Sequence, residues 1–150
     1  MTPEQQELVR QSWRRFDPRP RAASVQFYER LFELDPKARQ LFAGVDMAEQ
    51  ERKLMAMLAQ IVHAIDRPDQ LVSSVAALGR RHVHYGVKDA DYESVGAALL
   101  WTLEQGLDDA FTPEVRAAWA EAYLTVATVM RRAAMREQIT GERPAVWPAP

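Results

Sequence analysis

The placement of proline constrains this chain more than any other feature. Its nine prolines fall between apolar-periodic stretches rather than inside them, and only six glycines are present. Proline lacks a donor and restricts the residue before it, so it marks helix starts and corners and is excluded from helix interiors. Thr2-Pro3-Glu4 and Thr112-Pro113-Glu114 each set a capping hydroxyl before a proline at the first helical position, where the missing N–H costs nothing. The first of these helices should run to about Phe16 and end at Asp17-Pro18-Arg19-Pro20. A second is expected from about Arg21 to Leu34, where Ala22, Val25, Tyr28, Leu31 and Phe32 recur at helical spacing. Asp35-Pro36 then caps a short turn into Leu41-Phe42, and Asp46 with Glu49 resembles a capping box opening a helix that reaches Ile65. After Asp66-Arg67-Pro68-Asp69 comes a helix through about His84, broken by Gly86, followed by long helices at about Asp91–Leu107 and Pro113–Arg136. The chain is therefore all-α, with six long or medium helices and a short connector. Periodicity alone leaves a crossed-helix fold and a simple four-helix bundle both open.

Composition narrows the class of function. At 150 residues and 47% hydrophobic content the chain holds one domain, expected over 1–138, with a proline-rich tail over 139–150 that includes Trp147. A net charge of −2 gives no electrostatic case for nucleic acid or an anionic membrane, and no apolar run approaches the ~20 residues of a span. The polar start, Met1 to Glu7, has no leader character. With no cysteine, disulfides, thiolate metal sites and a thiol nucleophile are all excluded. The reading is a soluble cytoplasmic protein.

Two of the three histidines stand one residue apart in "LGRRHVHYGV", Leu78–Val87. On a helix, residues two apart point about 200° from each other, so His82 and His84 cannot share a pocket. Stepping back from His82 by threes and fours meets Leu78, Val75 and Leu71, an apolar stripe; from His84 it meets Arg81, Arg80 and Ala77. His82 faces inward and His84 outward. A strand would put both on one face for zinc, but the flanking pattern is not β and further ligands are missing. His63, beside Gln60, Asp66 and Arg67, lies on a solvated face. An inward histidine is by default a hydrogen-bonded core residue. A single-histidine metal site, by contrast, suits a metal whose other ligands come from a cofactor, as with heme iron.

Five segments in order, "LFELDPKARQLF" (31–42), "RKLM" (52–55), "LGRRH…YGV" (78–87), "YESVG…LL" (92–100) and "FTPEVRAAWAEAY" (111–123), make the chain resemble a globin. The likeness is to neuroglobin and to the single-domain bacterial globins related to flavohemoglobins, over roughly residues 4–133. It implies a globin fold, a crossed helical sandwich of six to eight helices around heme b (iron protoporphyrin IX). It puts His82 at the proximal iron ligand, Phe42 at the heme-stacking phenylalanine, Tyr28 and Gln50 at the two distal polar positions, and Leu54 over the iron. Leu78, Val87, Tyr92 and Val95 are placed around the cofactor, with the Leu78 carbonyl as acceptor for the other ring N–H of His82. Lys53 and Arg81 are the candidate cations for the propionates.

The residues agree with that placement. Gln50, Leu54, Met57 and Ile61 share one helical face, and Tyr28 lies among apolar neighbours where an unpartnered phenol would be costly. A core tyrosine bonded to a backbone carbonyl is the plain alternative for Tyr28. The glutamate that flavohemoglobins use to polarise the proximal histidine aligns with Ala134, which argues against a strong electronic push. Glutamine stands where neuroglobin has histidine, so a mainly five-coordinate ferrous iron is expected. The resemblance thus implies reversible binding of O2, CO and NO by a monomer or weak dimer. It also implies NO dioxygenation if a separate reductase supplies electrons. The rival readings are a globin-type gas or redox sensor acting through a partner protein, and a plain helical interaction domain.

Overall fold

The computed structural model describes residues 1–16 and 20–140. The order is α1 (Pro3–Phe16), α2 (Pro20–Leu34), a 3-10 helix (Pro36–Phe42), α3 (Met47–His63), α4 (Pro68–His84), α5 (Asp89–Leu107), a 3-10 turn (Asp108–Ala110) and α6 (Pro113–Thr140). No strand occurs among the described residues. Four of the sequence-predicted starts, at Thr2, Asp35, Asp46 and Thr112, hold because their caps form, while α5 begins at Asp89 rather than Asp91. Thr2 Oγ1 accepts from the Gln5 amide at 3.1 Å, and Thr112 Oγ1 from the Val115 amide at 3.2 Å. Asp35 accepts from the Lys37 amide, and Asp46 from the amides of Ala48 and Glu49. Two ends differ from expectation. α3 stops at His63 rather than Ile65, and α6 continues to Thr140 because no proline or glycine interrupts it after Pro113. The expected corner at Asp17-Pro18-Arg19, the side chain of His84 and the tail with Trp147 lie outside the described residues.

α4 packs chiefly on α6, α2 on α5 and on α3, and α1 on α6. One core cluster joins α1, α2, α5 and α6 through Val9, Phe27, Leu31, Leu103 and Trp119. The other joins α4, α5 and α6 through Leu71, Val75, Tyr92, Val126 and Met130. The Leu71, Val75, Leu78 stripe read from the sequence is thus the buried face of α4, and full burial of Val75 contributes about 1.5–3 kcal/mol. α4 and α6 approach so closely that a Cβ on Gly79 would stand 2.5 Å from the Met130 carbonyl oxygen and 2.6 Å from its Cα. Only glycine fits that crossing. Trp119 donates its indole N–H to Ser12 Oγ at 2.8 Å, and Ser12 donates in turn to the Leu8 carbonyl at 2.7 Å, which ties α6 to α1 through a buried, satisfied pair.

Candidate functional site

Between the α2–α3 pair and the α4–α6 pair, with α5 reaching both, opens a cavity of about 350 Å³. Its lining includes Phe27, Tyr28, Phe42, Gln50, Lys53, Leu54, Met57, Ile61, Leu78, His82, Val87, Tyr92 and Val95. Every residue singled out for a cofactor pocket lines it except Arg81. Arg81 stands beside the cavity, its buried Nε without a hydrogen-bond partner. His63 is exposed, as its polar helical neighbours imply.

His82 occupies the last turn of α4, and the local backbone holds it there. Gly86 takes φ +88°, its amide donates to the Val83 carbonyl, and the Val87 amide donates to the carbonyl of His82 itself. This is a Schellman termination, which glycine adopts without the penalty other residues incur. It sets Val87 against the same cavity as the imidazole. One turn back, the Leu78 carbonyl accepts from Nδ1 of His82 at 2.8 Å. That bond assigns the ring proton to Nδ1, so in the neutral ring the lone pair lies on Nε2. Burial pushes the imidazole below its ordinary titration range; the Leu78 carbonyl opposes this and the Arg81 charge adds to it. His82 is thus an oriented imidazole that burial favours in its neutral form.

Tyr28 and Gln50 come from α2 and α3, and the structure brings them into contact. Gln50 Nε2 donates to the Tyr28 hydroxyl at 3.2 Å. The phenol is buried in a cage of aromatic rings, with Phe27 at 5.0 Å and Phe42 at 5.4 Å between centroids, both edge-on. Burial pushes its pKa up to about 12, the Gln50 bond working against the shift and the Glu51 charge with it. The hydroxyl keeps its proton near neutrality, and because its oxygen already accepts, that proton is available to a further acceptor. Gln50 Oε1 is buried with no hydrogen-bond partner. An orphaned amide oxygen in the wall of a largely apolar cavity is the kind of unpaired group a bound polar molecule would satisfy. The site therefore combines one neutral imidazole, one linked pair of neutral donors and apolar bulk, which fits a flat metal-containing cofactor with a small polar ligand.

Several lining residues carried no assigned role in the sequence. Trp119, Tyr123, Val126 and Met130 recur at helical spacing on α6, a signal that was present but unassigned; Leu41 and Tyr85 add to the wall. The Tyr123 hydroxyl donates to the Tyr92 backbone carbonyl at 2.5 Å. Burial pushes the Tyr92 pKa up to about 12, against the pull of the Arg131 charge and with the help of Asp89 and Asp91. Burial likewise raises that of Tyr123.

Residues 25–130 match the globin family. An anaerobic nitrite reductase of Oryza sativa subsp. indica is 30% identical over 132 residues, covering 85% of this chain and 91% of its own. The neuroglobin of Tetraodon nigroviridis is 31% identical over 139 residues, covering 84% and 87%. A flavohemoprotein of Rhizobium meliloti (strain 1021) is 34% identical over 109 residues, 69% of this chain but 26% of that one. Among solved structures, a hexacoordinated heme protein from an anhydrobiotic tardigrade superposes with a TM-score of 0.82 at 19% identity, covering 90% of this chain and 96% of that one. The helical sandwich around this cavity is a globin fold, and the chain belongs to the globin family. No helix among the described residues is long and apolar enough to cross a membrane.

Proposed function

We propose that this globin holds heme b in the cavity through His82 and binds O2, CO and NO reversibly. One observation carries the reading. A neutral imidazole with its Nδ1 proton engaged and a buried Tyr28–Gln50 donor pair, from separate helices, line the same apolar cavity. When bound, the heme supplies an iron that accepts one diatomic ligand. His82 Nε2 would be its protein ligand, and Phe42, Leu54, Leu78, Val87, Tyr92 and Val95, which line the cavity, would hold the ring. Lys53, on the cavity wall, would serve a propionate, and Arg81 is the second candidate cation.

The remaining work falls to the distal residues. Gln50 donates to Tyr28 and polarises its O–H, so the pair acts as a relay ending in one strengthened donor rather than as two independent ones. A donor aimed at a site where negative charge accumulates, in surroundings that exclude water, favours the liganded state over the free one. Phe27, Phe42 and Leu54 keep water from that point. Neither Gln50 nor Leu54 is a strong metal ligand, which supports a mainly five-coordinate ferrous state. NO dioxygenation follows where a separate reductase supplies electrons. The domain of 1–138 and a cytoplasmic setting belong to the same reading. It is tested by the visible spectrum of the purified or hemin-reconstituted protein. A Soret band lost or shifted in His82→Ala is expected; colourless protein that takes up no hemin would end the proposal.

A further inference from the structure

Beyond the cavity wall, α6 carries a charge that the function described above does not use. The Arg131 guanidinium lies over the ring of Tyr92, 5.0 Å from its centroid, and donates to the Asp89 carbonyl at 3.3 Å. Its Nε is buried with no hydrogen-bond partner, and no carboxylate among the described residues approaches it within ion-pair distance. The ring it covers is buried and lines the cavity together with His82 and Tyr123. A cation–π contact with a single backbone acceptor leaves the positive charge largely uncompensated.

The nearby acids form no ion pair with it among the described residues. Asp91 spends a carboxylate oxygen on the Lys88 amide at 2.7 Å, while Asp89 is exposed and contacts Arg131 only through its backbone. At the Tyr92 hydroxyl the Arg131 charge outweighs either acid, and at Tyr123 it is again the opposing charge. The field of this guanidinium therefore reaches side chains of the cavity wall through a poorly screening, mostly apolar layer.

We propose that Arg131 is an electrostatic positioning residue that raises the reduction potential of the group held in the cavity. The inference rests on the heme reading, since it concerns a one-electron couple whose oxidised form carries one more positive charge. A fixed cation disfavours that form. Arg131 does not line the cavity, so it acts through space and across the Tyr92 ring.

The test is a spectroelectrochemical titration of hemin-loaded wild type, Arg131→Gln, Arg131→Lys and Arg132→Gln, the last an exposed neighbour on the same helix. In Arg131→Gln the oxidised-to-reduced ratio at a fixed applied potential should rise about three- to tenfold, a tenfold change being about 59 mV for one electron. Arg131→Lys should recover most of the wild-type value, and Arg132→Gln should match it. Far-UV circular dichroism checks that the variants fold, and the lysine variant keeps the test decisive if glutamine destabilises. Soret-positive variants with an unchanged midpoint, or a lysine variant as low as the glutamine one, overturn the role of the charge. A wild-type protein without a Soret band removes the heme reading and this inference together.

Discussion

Replacing Gly79 with alanine tests the packing argument most directly. The new Cβ would meet three Met130 backbone atoms, O at 2.5 Å, Cα at 2.6 Å and C at 2.9 Å. Carbon contacts settle near 3.5–4.0 Å, so α4 and α6 must part by about 1 Å, and backbone atoms cannot rotate away as a side chain would. The separation loosens Leu71, Val75, Val126 and Met130, which lie on the two facing helices. Overpacking of this kind costs about 1–3 kcal/mol. A clash with backbone belongs in the upper part of that range, about 2–3 kcal/mol, and alanine returns about 1 kcal/mol through its helix propensity, leaving a net loss of about 1–2 kcal/mol. At about 2–4 °C per kcal/mol for a chain of this size, Tm should fall by ~2–8 °C. The assay is thermal and urea denaturation of the protein beside Ser74→Ala, an exposed position on the same helix where alanine should be neutral or slightly favourable. A Gly79→Ala protein as stable as the Ser74→Ala control would refute the close crossing.

Three further outcomes are expected. Tyr28→Phe and Gln50→Leu should each speed O2 dissociation about fivefold, from ~1 kcal/mol per lost hydrogen bond. Because the two act in series, the double variant measured by stopped flow should fall well short of the product; fully multiplicative effects would show independent donors. Gly86→Ala forces a side chain into φ +88°, with an expected loss of about 1–2 kcal/mol in urea denaturation, and no loss would contradict the Schellman termination. The Arg10 guanidinium, 2.7 Å from the carboxylate of Asp66, holds that group below the ordinary aspartate range. Its folded-state pKa is depressed, so its contribution is present above the unfolded value near 3.9 and lost as pH falls through the folded one. Asp66→Asn should therefore flatten the acid limb of the stability profile, and superimposable profiles would remove Asp66 from it.

What could be read before the structure was what depends on neighbours in sequence. Caps at Thr2, Asp35, Asp46 and Thr112 are local, and so is the stripe Leu71, Val75, Leu78 that turned His82 inward. The Leu78 acceptor was also within reach, lying one helical turn away. What resisted were meetings between distant segments. The Trp119–Ser12 bond spans 107 residues and Tyr123–Tyr92 spans 31, and neither leaves a periodic trace. Tyr28 and Gln50 were each placed at the site, but that one donates to the other depends on how α2 and α3 cross. Gly79 stood inside a motif without a stated role until Met130 came against it. Arg81 was judged by adjacency to His82 alone, and a neighbour along a helix points about 100° away. α6 runs past its expected end at about Arg136 to Thr140, since a helix continues until something stops it.

The Schellman bond from the Val87 amide to the carbonyl of His82 makes the iron-ligand candidate part of its own helix's stop signal. Tolerance to changes in chain length is consequently lopsided around this point. Residues added between Val87 and α5 lengthen a connector and leave the imidazole where it is. A single residue added between Pro68 and His82 turns the ring by about 100° about the helix axis while the terminator follows it. Natural or engineered variation in this corner can accumulate on the downstream side, while the upstream side must keep its count.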